Sequence, residues 1–282
     1  LILNVLGLLL VSLGILMILP LLVDLTNNNL SWISFMISSL LSMAVGIAII
    51  LSTKGGKKET LIMQDAFLLT TLSWIFIALF GSIPFYLSEF NFSFTDAFFE
   101  SMSGVTTTGS SIIENLEIMS EGILIWRALL QWIGGVGIIV MALSILPVLQ
   151  VGGMQVFRTE SSDTTEKILP RTAQISSAVI IIYGSLTFLC FLLYWLFGMS
   201  IFDAFAHAMT TIATGGFSTK SGSIGAFDSV SIEYTSAIFM LLSSLPILIY
   251  LKISKKQIKE VFGDTQIITF LLIILISSLL II

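Results

Sequence analysis

The chain has one cysteine and one histidine in 282 residues, and only 10% of its residues are charged. A single thiol, Cys190, cannot close a disulfide within the chain or build a thiolate metal cluster; inside its apolar run it reads as a packing residue. No nucleophile–base pair and no metal-ligand set stands out, so an enzyme is not expected. No nucleic-acid partner is expected either. The scarcity of charge has a larger consequence: with 56% hydrophobic residues and a mean hydropathy of +1.06, this is an integral membrane protein and not a soluble domain. The net charge of −5 says little, because in a membrane chain the placement of cations matters more than their total.

What is present in abundance is apolar runs. Residues 1–23 and 32–51 read as two spans joined by a turn-like Asp24 to Asn29. A third span covers about 66–88, with Pro84 expected to kink its end. An acidic segment carrying Glu114, Glu117 and Glu121 precedes a span from Trp126 to about Leu149, and further spans are expected at about 174–197 and 232–251. The first run has no basic leader or cleavage motif, so it reads as a span. The missing initiator Met and the apolar finish at Ile282 lead us to expect a piece of a longer protein.

Between the spans one stretch is written twice. Asp96-Ala97-Phe98-Phe99-Glu100-Ser101-Met102-Ser103-Gly104-Val105-Thr106-Thr107-Thr108-Gly109 matches, without a gap, Asp203-Ala204-Phe205-Ala206-His207-Ala208-Met209-Thr210-Thr211-Ile212-Ala213-Thr214-Gly215-Gly216. Each copy is too short to span a bilayer and runs into a Thr/Gly turn between two spans. Each also opens on a capping pattern, Ser93-x-x-Asp96 and Ser200-x-x-Asp203. Two re-entrant half-helices whose negative ends, at Val105 and Ile212, face one point would stabilise a partly dehydrated cation there. Irregular backbone at membrane depth is tolerated only where protein buries it or water reaches it, so the duplicated turn predicts a pore. An interfacial hairpin that binds no ion would leave the in-register repeat unexplained.

The expected fold is therefore all-α and membrane-embedded, with tandem membrane–pore loop–membrane repeats of the K+-channel kind after an N-terminal transmembrane hairpin. The hairpin takes residues 1–58, the first repeat 59–160, the second 161–259, and 260–282 opens a third. Ten of the twelve cations, Lys54, Lys57, Lys58, Arg158, Lys167, Arg171, Lys252, Lys255, Lys256 and Lys259, fall in alternate loops on one side, and only Arg127 and Lys220 on the other. That asymmetry makes the first side cytoplasmic, puts the first residue there, and has both turns entered from outside.

The repeated stretch, together with Gln131-Trp132-Ile133-Gly134-Gly135, Gly152-Gly153-Met154-Gln155 and Ala213-Thr214-Gly215-Gly216-Phe217-Ser218-Thr219, resembles the TrkH branch of the Trk/Ktr/HKT potassium-transporter superfamily over essentially the whole chain. The resemblance implies potassium uptake across the plasma (inner) membrane through a filter of backbone carbonyls. It further implies four repeats around one pseudo-fourfold filter, of which this chain holds two and the start of a third. The filter candidates carried over are Val105, Thr106, Thr107, Thr108 and Gly109 with Ile212, Ala213, Thr214, Gly215 and Gly216, which would hold K+, the transported ion. Within the family a serine at the first filter glycine resembles the sodium-preferring plant branch, so Gly109 points to potassium. A homodimer and a cytosolic nucleotide-binding regulatory subunit of TrkA type are also implied.

The alternative from another transport class is a secondary symporter that binds a solute at broken helices near the midplane. Against it, the repeats run in parallel and the broken segments lie between spans. Glu100 and His207 hold equivalent places, which allows a proton relay, but His207 is expected to pack or hydrogen-bond behind the filter, since no chain of acids accompanies it. Arg127 is expected to anchor its span at the outer headgroups, although a cation near a cation pore would also tune ion access. Gly134, Gly135 and Gly137 are expected to permit close helix packing. Gly152-Gly153 lacks the context of a nucleotide loop.

Overall fold

Prolines set where the apolar runs break. Pro20 has no N–H for the Leu16 carbonyl, and the first span divides there into α1, Ile2–Leu16, and α2, Ile18–Thr26. Pro84 does the same to the Phe80 carbonyl, so the third span divides into α4, Met63–Gly81, and α5, Ile83–Tyr86, the break expected from the sequence. Between them α3, Trp32–Ser52, is unbroken. The computed structural model describes residues 2–55, 63–149, 168–246 and 265–281, with 249, 250, 253 and 263. Gly56, Lys57, Lys58, Gly152-Gly153-Met154-Gln155, Arg158, Lys167, Lys252, Lys255, Lys256 and Lys259 lie outside the described residues, as does the side chain of Arg171.

The remaining elements follow the repeat. The half-helix α6, Phe94–Val105, is followed by the long α7, Glu121–Leu149. Then α8, Ile168–Leu196, leads to the second half-helix α9, Ile201–Ile212, and α10, Val230–Ser244. The last described helix is α11, Thr265–Ile281. Among the described residues, Ile2–Thr26, Trp32–Ser52, Phe67–Tyr86 and Ser177–Leu196 are each long and apolar enough to cross a membrane. Large apolar side chains such as Leu40, Ile181, Phe188 and Leu272 stay exposed on the outside of the helices, where lipid would be their solvent.

Two expectations about these elements need correction. The span expected at 232–251 ends as a helix at Ser244, because Leu245 precedes Pro246 and adopts an extended ψ of 145°. The stretch Asp24 to Asn29 is not simply a turn. Asp24 lies in the last turn of α2, fully buried, and accepts hydrogen bonds from the Gly122 N–H (2.7 Å) and the Ser120 hydroxyl (3.1 Å). It thus satisfies a free N–H at the start of α7, where a carboxylate also suits the positive end of the helix dipole.

Packing is by small residues, as expected where lipid gives apolar side chains no reason to prefer one another. Helices α1 and α3 run antiparallel with Gly7 against Gly46: a Cβ on Gly46 would sit 2.6 Å from the Gly7 carbonyl oxygen. The Ser39 hydroxyl donates to the Gly14 carbonyl at 2.6 Å along the same seam. Further along the chain two clusters seat the half-helices, and α9 contributes to both: Ala206 and Met209 to the one that holds Ala97 of α6, and Ala204, Ala208 and Ile212 to the other. Around α6 the centre is Trp126, whose indole donates to the Gly81 carbonyl (2.9 Å) and meets Phe35 edge-on. Around α9 the centre is formed by Tyr183, Cys190, Tyr194 and Phe239. Cys190 is a buried free thiol there.

Candidate functional site

Both half-helices start the same way. The Ser93 hydroxyl accepts from the Asp96 N–H (3.1 Å) and donates to the Asp96 carboxylate (2.7 Å); Ser200 and Asp203 repeat this at 3.0 and 2.8 Å. A cap of this kind contributes about 1 kcal/mol to its helix.

They end the same way too. In α6 the N–H groups of Thr106, Thr107 and Thr108 donate to the carbonyls of Met102, Gly104 and Ser103; in α9 those of Ala213, Thr214 and Gly215 donate to Met209, Thr211 and Thr210. This is a Schellman close, which requires one residue in the left-handed region. That residue is Thr107 (φ 56°) in one copy and Thr214 (φ 51°) in the other. A β-branched residue is costly in that region, by about 1 to 2 kcal/mol, and such strain gathers at functional sites. Two positions later Gly109 (φ 77°) and Gly216 (φ 81°) also have positive φ. The alternation turns successive peptide planes, and it leaves the carbonyls from Val105 and from Ile212 onward outside the helix ladders.

The fold brings the two turns into contact. A Cβ on Gly109 would lie 1.9 Å from the Gly215 carbonyl oxygen. Helix α7 runs behind both turns and presents the Gln131-to-Gly135 motif to them. The Gln131 side-chain amide oxygen, Oε1, accepts from the Phe217 N–H at 3.1 Å, and a Cβ on Gly215 would meet the same side chain at 2.3 Å. Trp132 donates to Thr187 (3.0 Å) and stacks obliquely with Tyr183. At Gly134 a Cβ would lie 1.9 Å from the Val105 carbonyl oxygen, and at Gly135 it would lie 2.4 Å from the Tyr183 hydroxyl. At Gly137, among the described residues, nothing lies within 4 Å of a Cβ.

Arg127 is the main correction at the site. It is not an interfacial anchor: α7 begins at Glu121 and not at Trp126, which carries Arg127 more than a turn inside the helix, and the side chain is 1% exposed. It pairs with the fully buried Glu100 at 2.7 Å, donates to the Ser218 carbonyl (2.9 Å) and the Ser111 hydroxyl (3.0 Å), and lies 4.1 Å above the Phe217 ring. His207 is likewise buried, between the Asp203 carbonyl (2.7 Å), the Ser218 hydroxyl (2.9 Å) and the edge of Phe227. The signal that could have found this network is an ionisable residue within an apolar run, which needs a partner.

Beyond the turns, the segments that follow them are tied together. The Ser221 N–H and hydroxyl donate to Glu117 at 2.9 and 2.5 Å. These bonds hold the exposed Glu117 carboxyl below its ordinary pKa. Among the described residues no group of three or more His, Cys, Asp or Glu side chains is arranged to hold a metal ion.

The chain matches the TrkH family of cation transport proteins over residues 31–281. It is 40% identical to the Trk system potassium uptake protein TrkI of Halomonas elongata, across 99% of this chain and 56% of that protein. It is 41% identical to the Trk system potassium uptake protein TrkH of Escherichia coli K12, across 85% of this chain and 50% of that protein. The crystal structure of the potassium transporter TrkH from Vibrio parahaemolyticus superposes with a TM-score of 0.89 at 35% identity, covering 99% of this chain and 57% of that one. The chain spans about half the length of the curated relatives it matches. With a matched region that takes in both half-helices and both Thr/Gly turns, this multi-pass membrane chain belongs to the TrkH family of cation transport proteins.

Proposed function

We propose that this chain supplies two adjoining quarters of a potassium uptake pathway across the plasma membrane. The carbonyls of Val105, Thr106, Thr107, Thr108 and Gly109, with those of Ile212, Ala213, Thr214, Gly215 and Gly216, replace part of the ion's hydration shell. The C-terminal ends of α6 and α9 add the negative ends of their dipoles. The observation that carries this reading is the pair of matched turns, left-handed at Thr107 and Thr214 and again at Gly109 and Gly216, with Gly109 lying against the Gly215 carbonyl.

The rest of the assignment follows the family and the charge pattern. The repeat boundaries at 59–160 and 161–259, after a hairpin over 1–58 and before 260–282, make each repeat one span, one half-helix and one span. The side carrying ten of the twelve cations faces the cytoplasm, so the capped ends of the half-helices face outward. On the cytoplasmic side the basic loops would meet a nucleotide-binding regulatory subunit of TrkA type, and the pathway would work as a homodimer. The test is growth at limiting potassium: the full-length protein that contains this chain should rescue a strain lacking potassium uptake and should not be competed by equal sodium. Failure to rescue despite membrane insertion, or equal competition by sodium, contradicts the assignment.

A further inference from the structure

In each copy the seventh residue of the capped half-helix reaches the serine two positions after the last glycine of the turn, and the two copies use different chemistry. Glu100 accepts from the Ser111 hydroxyl at 3.0 Å and from the Ile112 N–H at 3.1 Å. His207 occupies the matching place. Its Nδ1 faces the Asp203 carbonyl, which can only accept, so Nδ1 carries a proton, and in the neutral imidazole Nε2 then accepts from the Ser218 hydroxyl. Each half-helix thereby holds the exit of its own turn.

Arg127 reaches both exits. Its Nε is paired with Glu100, its Nη2 donates to the Ser111 hydroxyl, and its Nη1 donates to the Ser218 carbonyl, while Phe217 lies under the guanidinium. We propose that Arg127, oriented by Glu100, is a positioning residue that fixes the separation of the two turns and through it the cation preference of the pathway; this rests on the reading of the turns as a filter.

Two physical arguments support it. A buried ion pair is weak evidence for stability, since well-packed apolar residues often serve as well or better. This pair sits in the core of a lipid-embedded fold, at 1% and 0% exposure, where the cost of burial is not offset by strength alone. What an apolar pair would not supply is three donors in one rigid plane aimed at three elements, which is what a guanidinium has and an ammonium lacks. Discrimination between cations of one charge depends on the size or the field of the carbonyl cage. A bond that spans two adjoining quarters of the cage sets both.

The test is tracer flux of potassium and sodium through proteoliposomes of the full-length protein, with yield and melting temperature measured on each variant. Arg127→Lys keeps the charge and loses the fork, and should lower the potassium-to-sodium flux ratio by roughly tenfold. Glu100→Gln should do the same, and Glu100→Gln with Arg127→Gln should be no worse than either alone, because they remove one unit. Ser111→Ala, which removes one arm, should lower the ratio by about threefold. Should Arg127→Gln fail to accumulate, Arg127→Lys and Ser111→Ala still decide. Variants that melt like the wild type and keep its ratio, or that lose total flux with the ratio intact, overturn the positioning role. A wild type without potassium preference instead overturns the filter reading, and the proposal with it.

Discussion

The two half-helices share a backbone and differ behind it. α6 and α9 repeat the cap and the Schellman close in register, although Glu100 in one stands where His207 stands in the other. The half-helix holds the first turn through the Glu100 carboxylate and the second through the His207 imidazole, and the Arg127 guanidinium reaches both. What has been kept in duplicate is therefore the path of the main chain. The side chains behind it differ while holding the same exit, as the proposed filter of carbonyl oxygens requires.

The largest break in this symmetry is at the glycines. Gly109 and Gly216 both have positive φ, but a Cβ at Gly109 would collide with the Gly215 carbonyl, while among the described residues nothing lies within 4 Å at Gly216. Gly216→Ala should cost only the backbone strain, about 1 to 2 kcal/mol. Gly109→Ala should cost that plus overlap of about 1 to 3 kcal/mol, so its melting temperature should fall further. Equal losses would mean that the turns do not abut.

A smaller and opposite effect is expected at the strained threonines. Thr107→Gly and Thr214→Gly relieve the left-handed strain but add freedom to the unfolded chain, for a net gain of about 0.5 to 1 kcal/mol. The same variants should weaken potassium preference, since a glycine lets the turn move. Thermal melting and flux ratios on the same preparations check both halves; a gain in stability with selectivity untouched would make the strain incidental.

Much of this was legible in the sequence because it is local. Ser93-x-x-Asp96 and Ser200-x-x-Asp203 carry their own geometry, and Pro84 breaks its span wherever the span packs. The placement of both turns followed from the gapless repeat. Asp24 and Arg127 were not legible for the opposite reason: their partners lie 98 and 27 residues away, at Gly122 and Glu100. The apolar faces gave no help, because a helix that meets lipid on one side and protein on the other is hydrophobic all round. The conformation of Thr107 and Thr214 was hidden in a different way. Composition points to glycine as the left-handed residue, whereas here threonine takes the first such position in each turn and glycine the second.

The smallest effect concerns the tie between the segments that follow the turns. Glu117 is held below its ordinary pKa of 4.5 by Ser221, so its contribution is present above that value and is lost as pH falls through the lower folded value. Ser221→Ala should return the Glu117 carboxyl toward 4.5 and flatten the acid limb of the melting profile slightly. An unchanged acid limb would show that the tie is not formed in solution.

The measurement that bears most directly on the carbonyl account is the ratio of potassium to sodium flux through the full-length protein with Gly109→Ser beside the wild type. A serine there must restrict the backbone angle and displace the Gly215 carbonyl, so sodium flux should rise relative to potassium while the protein still inserts. A wild-type ratio in Gly109→Ser, with normal insertion and flux, would remove this turn from the filter and contradict the account.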